Sequence, residues 1–356
     1  MKTSLVAWTG CPHRCDARLR APLFLLTLFL AAFSPVLVKA QAPVVLVGSG
    51  SSVPAPLYNR WAQEYAKHSS SIQVRYLPVG TSEGIMHISA GTGDFAAGEV
   101  PLTEKERSSG SLTELPVAIV GIVPIYNLPG IHSDLKLSGE VLAGIFLGEI
   151  KNWNAPQIAK SNPGVPLPNM PIEVVNRPAG KGSNYVFTEF LSKTGSKFRV
   201  QIGVTSSPKW PVGQPAERSA DMTEKVKSTP GAIGYVEYGY AVKANVAQIS
   251  VLNAGGKFVK ASPESIAAAC KAVEGSKWES LSASLTNASG AETFPIASFT
   301  WIYVRTKSAE AVRAAAIGEF LDWIYSKGQE FSGKEGYTEL PAPLTATAGK
   351  KVKELQ

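Results

Sequence analysis

Three short stretches of this 356-residue chain share one chemistry. Gly50-Ser51-Ser52-Val53, Gly80-Thr81-Ser82 and Gly180-Lys181-Gly182-Ser183 each set glycine beside a hydroxyl residue where a strand hands over to a helix. Glycine lets a backbone approach a ligand closely, the first-turn amides of a helix have no intrahelical partner, and hydroxyls add further donors. Such a set can hold a tetrahedral oxyanion without a metal. Each turn alone reads equally well as an ordinary N-cap, a position that favours Ser and Thr. Three in one chain, with Arg177 just ahead of Ser183, point to a shared anion site.

Other chemistries fail on inspection. Residues 80–84 (GTSEG) match the G-x-S-x-G nucleophile elbow, but that triad takes its histidine from late in the chain, and none follows His132. Gly48-Ser49-Gly50 lacks the third glycine of a dinucleotide fingerprint because position 53 is valine. No G-x-x-x-x-G-K-[ST] phosphate loop occurs. His68, His87 and His132 lie far from Cys270 and from ligand spacing to one another, so neither a zinc nor a haem site is expected, and no cofactor. Cys270 follows Ile266-Ala267-Ala268-Ala269 on a predicted helix and reads as a small buried hydrophobe.

The turns need elements to hold them. Val44 to Val47 is an apolar run, and beyond the first turn Leu57, Trp61 and Tyr65 recur at helical spacing. Ile72, Val74 and Tyr76 alternate with Gln73 and Arg75, a second strand leading into Gly80 and another helix. Asp94 to Ala97 is a third strand candidate ending at Gly98-Glu99, and Val117 to Tyr126 is long enough to run through a core and out again. Ile172 to Val175 ends at Asn176-Arg177, followed by Tyr185, Phe187, Phe190 and Leu191 with helical character. Ala232 to Tyr240, Thr300 to Val304 and a helix carrying Val312, Ala316, Phe320, Trp323 and Ile324 complete the pattern. The order predicts an α/β fold with a mainly parallel sheet and helices on both faces, its ligand outside the carboxyl ends of the strands. Trp61, Trp153, Trp210, Trp301 and Trp323 are expected to pack, Glu237 and Tyr238 lie on a strand without a ligand role, and Lys350 to Lys353 read as a solvated tail.

Length suggests two domains, and 44% hydrophobic residues supply two cores. The net charge of +7 invites a polyanion reading. However, Lys2, Arg14, Arg18 and Arg20 precede the apolar run Ala21 to Val38, and Val38-Lys39-Ala40 offers a small-residue cleavage site. Residues 1–40 are therefore predicted to be a signal peptide. Its removal takes five of 35 basic and one of 28 acidic residues and leaves +3, so no nucleic-acid partner is expected. Cys11 and Cys15 go with it, and no intrachain disulfide can form.

Seven stretches, Gly48 to Pro56, Gly80 to Gly84, Asp94 to Leu102, Phe146 to Trp153, Val175 to Ser183, Lys209 to Gly213 and Pro230 to Tyr238, resemble in order the periplasmic phosphate-binding proteins of Pst-type ABC importers. The resemblance covers essentially the whole chain after the leader. It implies a two-lobed periplasmic-binding-protein fold (type II-like), each lobe a mainly parallel sheet flanked by helices, closing on a ligand in the cleft between them. Lobe 1 would comprise 43–118 plus 298–356 and lobe 2 119–297. Carried over residue by residue, the phosphate ligands fall on Ser52 and the Val53 amide, Thr81 with Ser82 beside it, Glu99, Arg177, Gly182 and Ser183. Glu99 would accept the hydrogen bond of a protonated phosphate, which fully ionised sulfate cannot offer.

Three positions depart from the family pattern. Glu99 stands where aspartate is typical, Ala179 where an aspartate usually holds the arginine, and Lys181 where a ligand serine is usual. Arg177 is thus expected to lack its orienting partner. Lys181 is expected to touch the anion or pair with Glu99, unless it simply faces solvent. The resemblance implies a periplasmic, non-enzymatic monomer that captures inorganic phosphate and delivers it to a membrane ABC permease complex. Another oxyanion, an anion sensor or an exported phosphoester hydrolase are the alternatives.

Overall fold

The computed structural model describes residues 42–131, 133–273, 281, 283–307 and 310–355, so the predicted signal peptide and His132 lie outside the described residues. The strands are β1 (Val44–Gly50), β2 (Ile72–Pro78), β3 (Phe95–Gly98), β4 (Leu112–Tyr126), β5 (Lys136–Leu137), β6 (Glu173–Asn176), β7 (Gln214–Pro215), β8 (Ala232–Glu237), β9 (Ala247–Gln248), β10 (Ser250–Leu252), β11 (Phe258–Val259) and β12 (Ala297–Arg305). The helices are α1 (Ala55–His68), α2 (Thr81–Ser89), α3 (Glu104–Ser108), α4 (Gly139–Phe146), α5 (Pro156–Ala159), α6 (Gly182–Thr194), α7 (Ser196–Gln201), α8 (Ser219–Ser228), α9 (Tyr238–Lys243), α10 (Pro263–Lys271), α11 (Ala311–Ser326) and α12 (Ala342–Lys353).

The main sheet runs β2-β1-β3-β12-β4-β8-β6-β7, with β9 on β4. Its two wings are parallel: β2, β1 and β3 at one side, β8, β6 and β7 at the other. Between them β12 and β4 pair antiparallel with each other and with their neighbours. Sequence pattern explains the order. β2 alternates buried and exposed residues, as an edge strand wet on one face must, whereas β4 is buried almost throughout and takes the centre. Its first part pairs with β12 and its last part with β8, so this one strand joins both wings. A register shift in β12 between Thr300 and Trp301 breaks the ladder beside the end of β3.

The helices cover the wings, α1, α2 and α11 on the first and α6 and α8 on the second. Asp94 fixes the start of β3, accepting from the Val47 amide at 2.7 Å and from Arg313 Nη1 at 2.7 and 2.8 Å. Trp61, Trp153, Trp301 and Trp323 are buried, as expected, and so is Cys270 on α10. Two expectations are overturned. The C-terminal stretch is not a solvated tail but α12, because Leu344, Ala348 and Val352 recur at four-residue spacing and bury one stripe against α11 while the lysines face out. Tyr238 is not on a strand either: β8 stops at Glu237 and Tyr238 opens α9.

Candidate anion-binding site

The three predicted turns come together at the carboxyl ends of the parallel strands. Thr81 is the first residue of α2, and Gly182 and Ser183 are the first two of α6; neither helix has a capping side chain at its N-cap, Gly80 or Lys181. Their amides and dipoles are therefore left for another acceptor. The turns touch directly, the Ser82 amide donating to Gly180 O at 3.2 Å. Gly182 has to be glycine here: a Cβ on it would lie 2.6 Å from Thr81 Oγ1 and far inside contact with Glu99 Oε2.

Arg177 follows the last residue of β6 and is only 1% exposed. Its Nη2 donates to Ser52 Oγ at 2.9 Å, tying the second wing to the first turn. Its Nη1 donates to Ser219 Oγ at 3.4 Å, and Ser219 Oγ in turn donates to Glu237 Oε1 at 2.8 Å. The expectation that Arg177 lacks an orienting partner is thus corrected. Position 179 is alanine, but the start of α8 brings a hydroxyl to the guanidinium, and the end of β8 sets a carboxylate behind that hydroxyl. The Arg177 backbone is held as well, its amide donating to Tyr235 Oη at 3.2 Å and its carbonyl accepting from Trp210 Nε1 at 3.2 Å.

Glu99 follows β3 and is fully buried. Burial pushes its carboxyl up to about 8; the hydroxyls of Ser51 and Thr300 and the charge of Arg177 oppose the shift, and the nearby Glu237 adds to it. Those two hydroxyls lie near the carboxyl without completing a hydrogen bond, so neither Glu99 oxygen has a partner, and the same holds for Thr81 Oγ1, Ser183 Oγ and Arg177 Nε. Buried polar atoms are nearly always satisfied, so a cluster of orphaned donors around one orphaned carboxyl marks a place built for a polar ligand. Donors outnumber acceptors, and the only permanently charged member is a guanidinium. The arrangement suits a compact anion that can also offer or accept one proton.

The remaining predicted residues play other parts. The Val53 amide donates to Ser51 Oγ at 3.1 Å, and Ser52 serves Arg177. Ser82 is exposed at the seam between the turns, its Oγ 3.4 Å from Ser206 Oγ. Lys181 makes no ion pair with Glu99 among the described residues, which corrects the pairing expected from sequence. Its Nζ instead donates to Val79 O at 3.4 Å and pairs with Glu217 Oε2 at 3.3 Å. Geometry is the reason: the side chain leaves the N-cap of α6 toward Gly80, 3.7 Å from where a Cβ there would stand, rather than inward. Because Glu217 is 69% exposed, this pair is worth at most about 1 kcal/mol. Lys181→Ser is accordingly expected to weaken oxyanion binding by no more than about fivefold, read by titrating variant and parent with phosphate. A loss above about thirtyfold would put the ammonium on the anion.

The sequence reading gave no part in the site to Ser219, Glu237, Tyr235, Asn184 or Trp210. Tyr235 Oη donates to Asn184 Oδ1, and Asn184 Nδ2 donates to Pro178 O at 2.7 Å, holding the turn that carries Lys181. Three more tyrosines pin the first wing's loops through Ser51 O, Val53 O and Val100 O: Tyr76, Tyr337 and Tyr303 respectively. The one available signal was the run Gly231 to Tyr238, where Tyr235 and Glu237 share a face by strand alternation. A second constellation was also unforeseen. Ser49 Oγ lies 3.1 Å from His87 Nδ1, whose Nε2 is 3.9 Å from Glu83 Oε1, but Ser49 is buried within β1, out of reach of a substrate. Among the described residues no group of His, Cys, Asp or Glu could hold a metal ion, and no helix is long and apolar enough to cross a membrane.

Comparison with known proteins gives a consistent set of likenesses. Residues 37–327 match the PBP superfamily domain. The chain is 36% identical over 303 residues to the phosphate-binding protein PstS of Haemophilus influenzae, covering 85% of this chain and 90% of that one. Among solved structures, a phosphate-binding protein from Stenotrophomonas maltophilia superposes with a TM-score of 0.63 at 18% identity, covering 86% of this chain and 93% of that one. An ABC-type phosphate transport receptor from Vibrio cholerae gives 0.57 at 20% identity, covering 83% of this chain and all of that one (100%). These two share its two-lobed α/β fold.

Proposed function

We propose, from the premise that the chain belongs to the PBP superfamily and within it to the phosphate-binding proteins named PstS, that it captures inorganic phosphate and hands it to an ABC importer. It is a solute-binding protein, not an enzyme. It acts as an exported monomer in the periplasm, its leader cleaved, with a membrane permease complex as its partner. Its lobes are 43–118 plus 298–356 and 119–297. The switch between them falls where β4 and β12 cross the boundary side by side, Ile119 opposite Phe299 and Gly121 opposite Ala297. One observation carries the reading: Arg177 Nε, Thr81 Oγ1, Ser183 Oγ and both Glu99 oxygens are buried without partners where the three turns meet. Arg177 serves as the charged clamp, Thr81, Ser183 and the first amides of α6 as neutral donors, and Glu99 as the proton partner.

Glu99 makes selectivity depend on pH. Sulfate carries no proton at neutral pH, so it can occupy the site only if Glu99 is neutral and donates; phosphate brings its own proton. Above the Glu99 pKa of about 8, sulfate affinity is expected to fall about tenfold per pH unit while phosphate affinity changes far less. Glu99→Gln, whose amide donates at every pH, should flatten the sulfate profile and shrink the preference for phosphate. The same group sets a stability trend. With its carboxyl raised from 4.5 to about 8 in the folded state, Glu99 contributes most to the stability of the ligand-free protein below 4.5, and that contribution is lost as pH rises through about 8. Calorimetric titration with phosphate and sulfate between pH 6 and pH 9.5, with p-nitrophenyl phosphate turnover run alongside, tests the whole reading. A sulfate affinity independent of pH would remove Glu99 from its role, and turnover would favour the hydrolase.

A further inference from the structure

The Ser219 to Glu237 pair has no place in the ligand set, yet it is built with care. Ser219 is the first residue of α8 and 1% exposed, Glu237 is the last of β8 and 2% exposed, and they meet where α8 packs on β8, beside the Arg177 guanidinium. The Ser219 proton is committed to Glu237 at 2.8 Å, which leaves a lone pair of the same oxygen facing Arg177 Nη1 at 3.4 Å. The other oxygen, Glu237 Oε2, has no hydrogen-bond partner. A buried carboxylate costs several kcal/mol unless a cation compensates it. Arg177 is the cation that lowers the Glu237 pKa against the upward push of burial. A long, flexible arginine side chain, in turn, needs a second anchor if its fork is to stay aimed, because Ser52 Oγ holds Nη2 alone.

We propose that Ser219 and Glu237 are the positioning residues for the anion-binding arginine, acting as a hydrogen-bonded chain that fixes Arg177 Nη1 while Nε is left without a partner, in place of a carboxylate at Ala179. The proposal rests on the reading of Arg177 as a phosphate ligand. It separates two features that the sequence joins: the arginine comes from the end of β6, but its aim comes from β8 and α8, so two further elements of the second wing control the site. The chain runs through a hydroxyl, so what it needs at position 237 is an acceptor of the right length rather than a charge.

Phosphate titrations of Ser219→Ala, Glu237→Ala, their double variant and Glu237→Gln, with melting temperatures measured without ligand, test this. Ser219→Ala and Glu237→Ala are each expected to weaken phosphate binding about tenfold, and the double variant by no more than either alone, because one chain is cut in two places. Glu237→Gln, which keeps the acceptor, is expected within about threefold of the parent. Additive losses near a hundredfold, a Glu237→Gln as weak as Glu237→Ala, or lowered melting temperatures with unchanged affinity would each overturn the proposal. Should Glu237→Ala fail to fold, Ser219→Ala with and without Glu237→Gln decides: equal losses support the chain, and an unchanged affinity in Ser219→Ala removes it. A parent protein that binds no phosphate at all defeats the phosphate reading itself, a result distinct from any of these.

Discussion

Arg177→Ala is expected to lower phosphate affinity by about a thousandfold, the largest effect of any single substitution in this protein. The guanidinium is the only permanent positive charge among the buried groups of the site, and it faces two carboxyls, Glu99 and Glu237, whose pKa values it lowers. Truncating one member of a buried, hydrogen-bonded charge set costs about 2–5 kcal/mol, or roughly thirtyfold to several thousandfold in affinity. The upper part of that range applies because three losses coincide. The ligand forfeits a charge-assisted donor at Nε, Ser52 loses the donor that holds its oxygen at 2.9 Å, and both carboxyls are left uncompensated in a closed site. With Arg177 gone, the pKa values of Glu99 and Glu237 move further up, so Glu99 keeps its proton to a still higher pH. Arg177→Lys restores a charge but not the planar fork, and should recover only part of the loss. Calorimetry with phosphate, with circular dichroism to confirm the fold, checks this. An Arg177→Ala variant within tenfold of the parent would mean that the anion sits elsewhere.

How much of this site could be read from the sequence depends on how far apart its members are. Thr81, Gly182 and Ser183 belong to local strand-turn-helix signals, and their place at helix N-termini follows from glycine and hydroxyl chemistry within a few residues. Arg177 and Glu99 stand at strand ends, where an α/β order already puts ligands. The partners of Arg177 are another matter. Ser219 is 42 residues further along the chain, and Glu237 another 18, so the contact exists only because α8 packs back on β8. No periodicity or spacing encodes that. Lys181 is a related case: its charge is plain in the sequence, but its direction is set by the backbone at the α6 N-cap, which turns it toward Val79 and Glu217 rather than Glu99. At the level of the fold, the parallel wings were legible from alternating strands and helices. The antiparallel join through β4 and β12 was not, since a continuous apolar run says that a strand is buried on both faces without saying which way its neighbours point. The α12 stripe was hidden by four lysine-rich residues at its end, where composition suggested solvent and a four-residue period meant packing.

Gly182→Ala should cost about a hundredfold in phosphate affinity and also lower the stability of the ligand-free protein. The added methyl would fall 2.6 Å from Thr81 Oγ1 and overlap Glu99 Oε2, so the N-terminus of α6 cannot come as close to the end of β3 as it does here. Relief by side-chain movement is limited. Glu99 and Thr81 are both fully buried, and Gly98 backs Thr81 so tightly that a Cβ there would also strike its side chain. Overpacking of this kind costs about 1–3 kcal/mol, and the upper end, about a hundredfold, applies because the clash falls on the proton partner and a donor at once. The ligand-free fold meets the same clash. Gly182 is the first residue of α6 and is not among the glycines that need a positive φ, so alanine gains only the restriction of the unfolded chain, about 0.4–1 kcal/mol, which offsets part of the overpacking cost. A lower melting temperature with normal phosphate affinity would place the α6 N-terminus outside the binding site, whereas weakened binding in a variant that still folds locates the anion at the meeting of Gly182, Thr81 and Glu99.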